Sequence, residues 1–228
     1  RDDIYGAVFV GNTTMTHFLM KLSAKNIAVS PFIPVSTQMH MFKASQLGIG
    51  INRHGVGIVL PSVSAYIGSD TVAAVLASGM YEQEEISLLM DIGTNGEIAL
   101  GNSKWMYSCS AAAGPAFEGA NIYSGMAAVC GAVSGFTDPE NIEVIGNCKP
   151  VGICGSGIVD VVAYLLRIGL IDETGFLKEP FLIGSDMNIE VTQQDIREIQ
   201  LAKSAIYSGI KILMNKAGLS FGDIDALF

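Results

Sequence analysis

The sequence predicts a mixed α/β fold in which an antiparallel meander is set inside a β–α alternation. Three observations predict it. Two short apolar runs each stop at a break and lead into a helix-capping residue. In the middle of the chain, apolar runs are joined by Asn-Gly and Gly-Asn turns. Near the end, apolar residues recur at i, i+3/i+4 spacing over more than twenty positions.

The elements follow in order. Ile4 to Val10 reads as a strand that Gly11-Asn12 breaks, with Asn12 or Thr13 capping a helix to about Leu22. "SPFIPVS", with Pro31 and Pro34, is an extended connection. Ile58 to Leu60 form a second strand ended by Pro61. Ser69 or Asp70 then caps a helix to about Ser78, whose small side chains (Val72, Ala73, Ala74, Ala77) predict burial and close packing. "EISLLMDI", "GEIALGN" and "KWMYSCSA" read as three consecutive antiparallel strands. Asn95-Gly96 favours a type I′ turn between the first two. A strand or two and a glycine-rich entry precede a mostly apolar helix from about Ser156 to Ile168.

Thr192 and Asp195 have the spacing of a capping box, Asp replacing the usual Glu. The helix they open carries the stripe Ile196, Ile199, Ala202, Ile206, Ile210, Leu213, Ala217, and Gly218 ends it. "DIDALF" reads as a strand beginning where the sequence stops.

Composition narrows the function classes. Of 228 residues half are apolar and 15% are charged, enough for a substantial core, and no uninterrupted apolar run has the length of a bilayer span. The net charge of −9 lacks the basic footprint of sequence-independent nucleic-acid binding and disfavours anionic lipid. Cys109, Cys130, Cys148 and Cys154 form no C-x-x-C pair. Reduced, buried thiols in a cytoplasmic protein are therefore expected in place of a metal cluster. His17, His40 and His54 are scattered and read as surface or satisfied core residues.

The heptapeptide "DIGTNGE", Asp91 to Glu97, raises a chemical question. Its plain reading is a hairpin turn. Yet Gly93 and Gly96 remove Cβ atoms so that an anion can approach the backbone, while Thr94 and Asn95 add side-chain donors. Asp91 stands at a strand end, where it can bind Mg²⁺ through water, and Glu97 can position a water. These are parts for phosphoryl chemistry, although the Gly-Lys-Ser/Thr of a Walker A loop is absent.

The order of elements adds to this. A small-residue helix precedes a strand, then D-x-G-T-x-G, further strands, a glycine-rich loop, a long helix and a strand. That order resembles the second half of the actin-like ATPase (ribonuclease H-like) fold of actin, heat-shock chaperones and sugar kinases, with "DIGTNGE" as the second of two phosphate loops. "VGNTTM", "LPSVSAYIGSD", "DIGTNGEIALGN", "CSAAAGPAFEGANIYSGM", "GICGSGIVDVVAYLL" and "DIREIQLAKSAI" together resemble the ATPase region of the reductive activators of corrinoid proteins. Those are iron–sulfur proteins that use ATP to drive an electron onto a cobalt cofactor.

The resemblance implies ATP and Mg²⁺ as ligands, a corrinoid protein as partner, and an iron–sulfur cluster on a domain upstream of this chain. It divides the chain into 1–58, the remainder of the first actin-like half, and 59–228, the second half, truncated before an adenosine motif. With the facing phosphate loop outside the chain, ATP binding by this chain alone is expected to be weak or absent. Asp91 and Glu97 are the catalytic candidates, with Asp91 also the metal candidate. Gly93, Thr94, Asn95, Gly96, Glu118, Gly155 and Ser156 are the nucleotide-binding candidates.

Each candidate has a plainer role beside the functional one. Glu118, in "GPAFEGA", suits a polar loop near the nucleotide or a buried or turn-capping position. Gly155, Ser156 and Gly157 suit an anion site at a helix N-terminus or simple capping and close packing. Asp70 suits a cap, with its place before the interdomain helix keeping a cleft role open. Two other functions fit the same fold or sequence: a small-molecule kinase, or a non-enzymatic partner-binding module with a vestigial nucleotide loop. A homodimer is a further expectation from the apolar content.

Overall fold

The computed structural model describes residues 1–184 and 188–228. In chain order the first elements are β1 (Gly6–Phe9), α1 (Thr13–Leu19), β2 (His40–Lys43), β3 (Val56–Val59) and α2 (Ser69–Ser78). The meander follows as β4 (Ser87–Ile92), β5 (Gly96–Gly101) and β6 (Met106–Ala111). Then come β7 (Ala132–Asp138), β8 (Asn141–Val144), β9 (Gly152–Ile153) and α3 (Gly155–Arg167). The last are β10 (Phe181–Leu182), β11 (Glu190–Val191), α4 (Gln193–Ala217) and β12 (Ala226–Leu227). The chain divides into two compact units: residues 1–91, 97–110 and 212–228 form the first, residues 92–96 and 111–211 the second.

In the first unit, β1 and β3 pair in parallel from Gly6↔Val56 to Phe9↔Val59, and β2 adds to β3 antiparallel. Asn12 caps α1, its side chain accepting from the Met15 N–H at 2.9 Å, which selects one of the two predicted caps. His17 is buried and satisfied. Its Nδ1 lies 2.7 Å from the Thr13 carbonyl, and its Nε2 accepts from the Val35 N–H at 3.1 Å.

The cap of α2 differs from expectation. Gly68 is the N-cap, and Ser69 and Asp70 lie inside the helix. The reason is a close approach: a Cβ on Gly68 would stand 2.5 Å from the Asn12 Cα. The Ser69 hydroxyl meanwhile holds both the N–H and the carbonyl of Gly11, each at 3.1 Å. The helix is only half-buried, not buried all round. Ala74 and Val75 pack on the core of Met80, Leu89 and Ala99, while Leu76 remains exposed.

The meander forms as predicted, β4, β5 and β6 being successive neighbours in a sheet of order β12-β4-β5-β6. Loops this short permit only antiparallel pairing. β12 joins β4 in parallel, Ala226 opposite Ser87.

The second unit holds the sheet β8-β7-β9, the ribbon β10-β11, and α3. Helix α3 buries Ile158, Val161 and Leu165 completely, each worth roughly 1.5–3 kcal/mol of transfer free energy. Gly157 lets it approach β7, since a Cβ there would meet the Val133 carbonyl oxygen within van der Waals overlap.

The predicted stripe of α4 is buried from Ile196 through Leu213, with Ala217 half-buried at the end. Its capping box is present: Asp195 accepts from the N–H (2.7 Å) and hydroxyl (2.9 Å) of Thr192. The other Asp195 oxygen accepts from the Tyr123 N–H at 2.7 Å.

The cysteines depart from the expectation of four reduced, buried thiols. Cys154 is free and buried and Cys109 free and half-buried, but Cys130 and Cys148 are exposed and joined in a disulfide. The return of the chain through β8 brings them together, which no local spacing announces. No helix among the described residues is long and apolar enough to cross a membrane.

Candidate functional site

"DIGTNGE" is the connection between β4 and β5. Asp91 and Glu97, which flank it, belong to the first unit, and residues 92–96 to the second. The turn is not type I′. That type requires φ > 0 at both central residues, and neither Asn95 nor Gly96 has it. Gly96 is instead the first residue of β5 and is buried. The Gly93 N–H donates to the Asn95 carbonyl at 3.0 Å, closing a three-residue tip.

The two glycines have different reasons. A Cβ on Gly96 would lie 3.0 Å from Ile206 Cγ1, so α4 passes close and a side chain there would require Ile206 to give way. A Cβ on Gly93 would meet only the Asn95 carbonyl oxygen and Glu118 Oε1, at 3.8 and 3.9 Å. Its absence leaves the tip backbone open.

Within the second unit the tip is held from one side. The Thr94 hydroxyl donates to Glu118 Oε2, and the Thr94 carbonyl accepts from the Gly114 N–H at 2.9 Å. Glu118 ends a 3₁₀ turn, Pro115–Glu118, that Gly119 closes in the left-handed region. The structure thus brings Thr94 and Glu118 together, and the threonine hydroxyl has a carboxylate partner.

Gly155 and Ser156 start α3 behind the same turn. A Cβ on Gly155 would overlap the Phe117 carbonyl oxygen, so the helix end rests on the turn backbone. The Ser156 hydroxyl donates to the Ser134 carbonyl at 2.7 Å. Gly155, Ser156 and Phe117 also line a cleft of about 810 Å³ walled by α3 and by Ile196, Gln200 and Lys203 of α4.

In the first unit the carboxylates are coupled. Glu97 is half-buried, and its Oε1 accepts from the Ser110 hydroxyl at 3.0 Å. Burial pushes its carboxyl above the usual range, and the negative charges of Asp70 and Asp91 push the same way. The Ser110 bond offsets part of this. A raised carboxyl holds or accepts a proton more readily than an ordinary glutamate. Asp91 is exposed at the end of its strand.

Two partners in this cluster escaped the sequence reading. Asp70 couples to Glu97, although the two are distant in sequence. Ser110 had a readable signal: the next hairpin closes with the Asn102 N–H on the Trp105 carbonyl at 2.8 Å. Counting five residues back along each strand brings Glu97 and Ser110 to one level.

Among the described residues no three His, Cys, Asp or Glu side chains converge as a direct metal ligand set. One exposed carboxylate, Asp91, suits Mg²⁺ of the kind that keeps most of its waters and binds substrate phosphates.

Comparison with known proteins places this geometry. Residues 85–228 match the family described as the C-terminal domain of RACo, the ASKHA domain, and residues 1–83 match the RACo middle region. The corrinoid activation enzyme RamQ of Eubacterium limosum is 36% identical over 99% of this chain and 43% of its own length. A [Co(II) methylated amine-specific corrinoid protein] reductase of Methanosarcina barkeri is 32% identical over 74% of this chain and 36% of its own. A solved structure titled reductive activator for corrinoid, iron-sulfur protein superposes with a TM-score of 0.88 at 33% identity. It covers 99% of this chain and 40% of that one. The chain thus spans about two fifths of the length of these relatives.

Proposed function

Because the chain belongs to the family of reductive activators of corrinoid proteins, with an actin-like ASKHA domain over residues 85–228, we propose that it supplies nucleotide-binding machinery to a protein that activates a corrinoid protein reductively at the expense of ATP. The observation that carries the reading is the β4–β5 connection. Its glycine-threonine tip is open and is flanked in sequence by two carboxylates, and Glu97 is raised first by burial and then by its acidic neighbours.

In this reading the tip residues Gly93 to Gly96 receive phosphate oxygens, with Glu118 holding Thr94 in place. Asp91 would hold Mg²⁺, which would supply positive charge against the developing phosphate charge. Glu97, with its raised carboxyl, accepts a proton from the attacking water. Gly155 and Ser156 stand at the positive end of α3, which favours an anionic ligand. The iron–sulfur chemistry belongs to a domain other than this chain, whose four cysteines include one exposed pair and two separate thiols. Nucleotide turnover acts on the corrinoid partner through conformation, as in other two-state clefts.

The test is ATP hydrolysis and calorimetric ATP binding by the native protein and by its Asp91→Asn and Glu97→Gln variants. Glu97→Gln is expected to lower turnover by about 10²-fold or more with ATP affinity retained. Asp91→Asn is expected to raise the Mg²⁺ concentration needed for turnover. Unchanged hydrolysis in both variants would remove these two residues from the mechanism.

A further inference from the structure

The disulfide between Cys130 and Cys148 lies apart from the loop just described and does not depend on the nucleotide reading. Both cysteines are exposed, unlike buried Cys154. Their Cα atoms are 6.7 Å apart across 18 residues of sequence. The backbone is shaped for the pair: Gly146 has φ +79°, and a Cβ there would stand 2.8 Å from the Cys130 Sγ and 3.6 Å from the Cys148 Sγ.

What the pair joins matters more than the bond itself. Cys130 immediately precedes the chain entering β7, and Cys148 precedes the chain entering β9. These strands run in parallel but share only two residue pairs, Ala132↔Gly152 and Val133↔Ile153. Just ahead of them the Val151 N–H donates to the Gly131 carbonyl at 2.9 Å. β9 then runs straight into Cys154, whose N–H donates to the Val133 carbonyl at 3.1 Å, and into Gly155 at the start of α3. A two-pair ladder is a weak tether for a helix entry, and a covalent link at its upstream end limits how far the ladder can open.

We propose that Cys130 and Cys148 form a reversible thiol–disulfide site that sets the rigidity of the β7–β9 ladder and of the α3 N-terminus. Oxidation takes one low-molecular-weight disulfide per pair. The thiolate of one cysteine attacks that disulfide, forming a mixed disulfide and releasing one small thiol. The second cysteine then displaces the other, forming the Cys130–Cys148 bond. The protein pair loses two electrons and two protons, and the small disulfide becomes two thiols. Their exposure admits the oxidant, whereas Cys154 is shielded by burial.

The test equilibrates the native protein with oxidised glutathione or with dithiothreitol, followed by alkylation and cleavage at glutamate, since Glu140 and Glu143 separate the two cysteines. A linked Cys130–Cys148 peptide is expected in the oxidised sample and two alkylated peptides in the reduced one. Amide exchange at Gly152 to Gly155 is expected to be at least about tenfold faster after reduction. Cys148→Ser should exchange like the reduced protein in both buffers. If this variant does not fold, the wild-type comparison stands alone as the test. Full alkylation of both cysteines after oxidant, or equal exchange in linked and reduced protein, would overturn the proposal.

Discussion

Replacing Gly119 with alanine is expected to cost about 3 kcal/mol, most of it from a clash with backbone and the rest from conformation. Gly119 sits at φ +81°, where an L side chain costs roughly 1 kcal/mol. Its new Cβ would also stand within overlap distance of the Met126 carbonyl oxygen and 2.8 Å from that residue's C and N atoms. Met126 has little room to retreat, because its N–H is bonded to the Ile153 carbonyl at 2.9 Å. Overpacking of this kind adds about 2 kcal/mol. Gly169 in the same unit is the control: its φ is +74° and a Cβ there meets nothing within 4 Å, so Gly169→Ala carries only the conformational cost of about 1 kcal/mol. Guanidinium unfolding of both variants of the native protein, followed by circular dichroism, measures the difference. Costs equal within about 0.5 kcal/mol, below the spread that overpacking produces, would refute the steric argument. The substitution also reaches the site, since Gly119 closes the turn whose Glu118 takes the Thr94 hydroxyl.

Two further outcomes are expected. Asp195→Ala leaves the N–H groups of both Thr192 and Tyr123 without their buried acceptor and should cost about 3 kcal/mol. Thr192→Ala, which removes only the cap hydroxyl, should cost about 1 kcal/mol, and equal melting shifts for the two would show that the Tyr123 link contributes nothing. For Glu97 the folded carboxyl is raised above its unfolded value, so the native state takes up its proton first as pH falls. Its charged form is therefore a cost above that window, relieved as pH drops through it. Glu97→Gln should gain at most about 1 kcal/mol at neutral pH, because the group is only partly buried and solvent screens part of the effect. The gain should vanish at acidic pH; a pH-independent difference in unfolding free energy would contradict the assignment.

How much was legible follows from the range over which each signal acts. Caps, stripes and hairpin spacing are local, so the Asn12 cap, the Thr192–Asp195 box, α3, the α4 stripe and the β4–β6 meander were readable from neighbouring residues. The Asn95-Gly96 dipeptide correctly placed a turn but not its type, because Gly96 is already the first residue of β5 and has no positive φ. Gly68 displaced the polar caps expected of Ser69 and Asp70 because of a contact with Asn12 that is 56 positions away (68 − 12).

Residue types and short-range periodicity by themselves determined the α/β class and the order of elements, and singled out residues 91–97 as the candidate stretch. Only the tertiary structure decided that Glu118 takes the Thr94 hydroxyl, that burial together with Asp70 and Asp91 raises Glu97, and that Cys130 meets Cys148. Each of those joins residues whose approach is set by how separate hairpins and helices stack. Stacking is governed by buried area and close contact between segments, which no window of neighbouring residues contains.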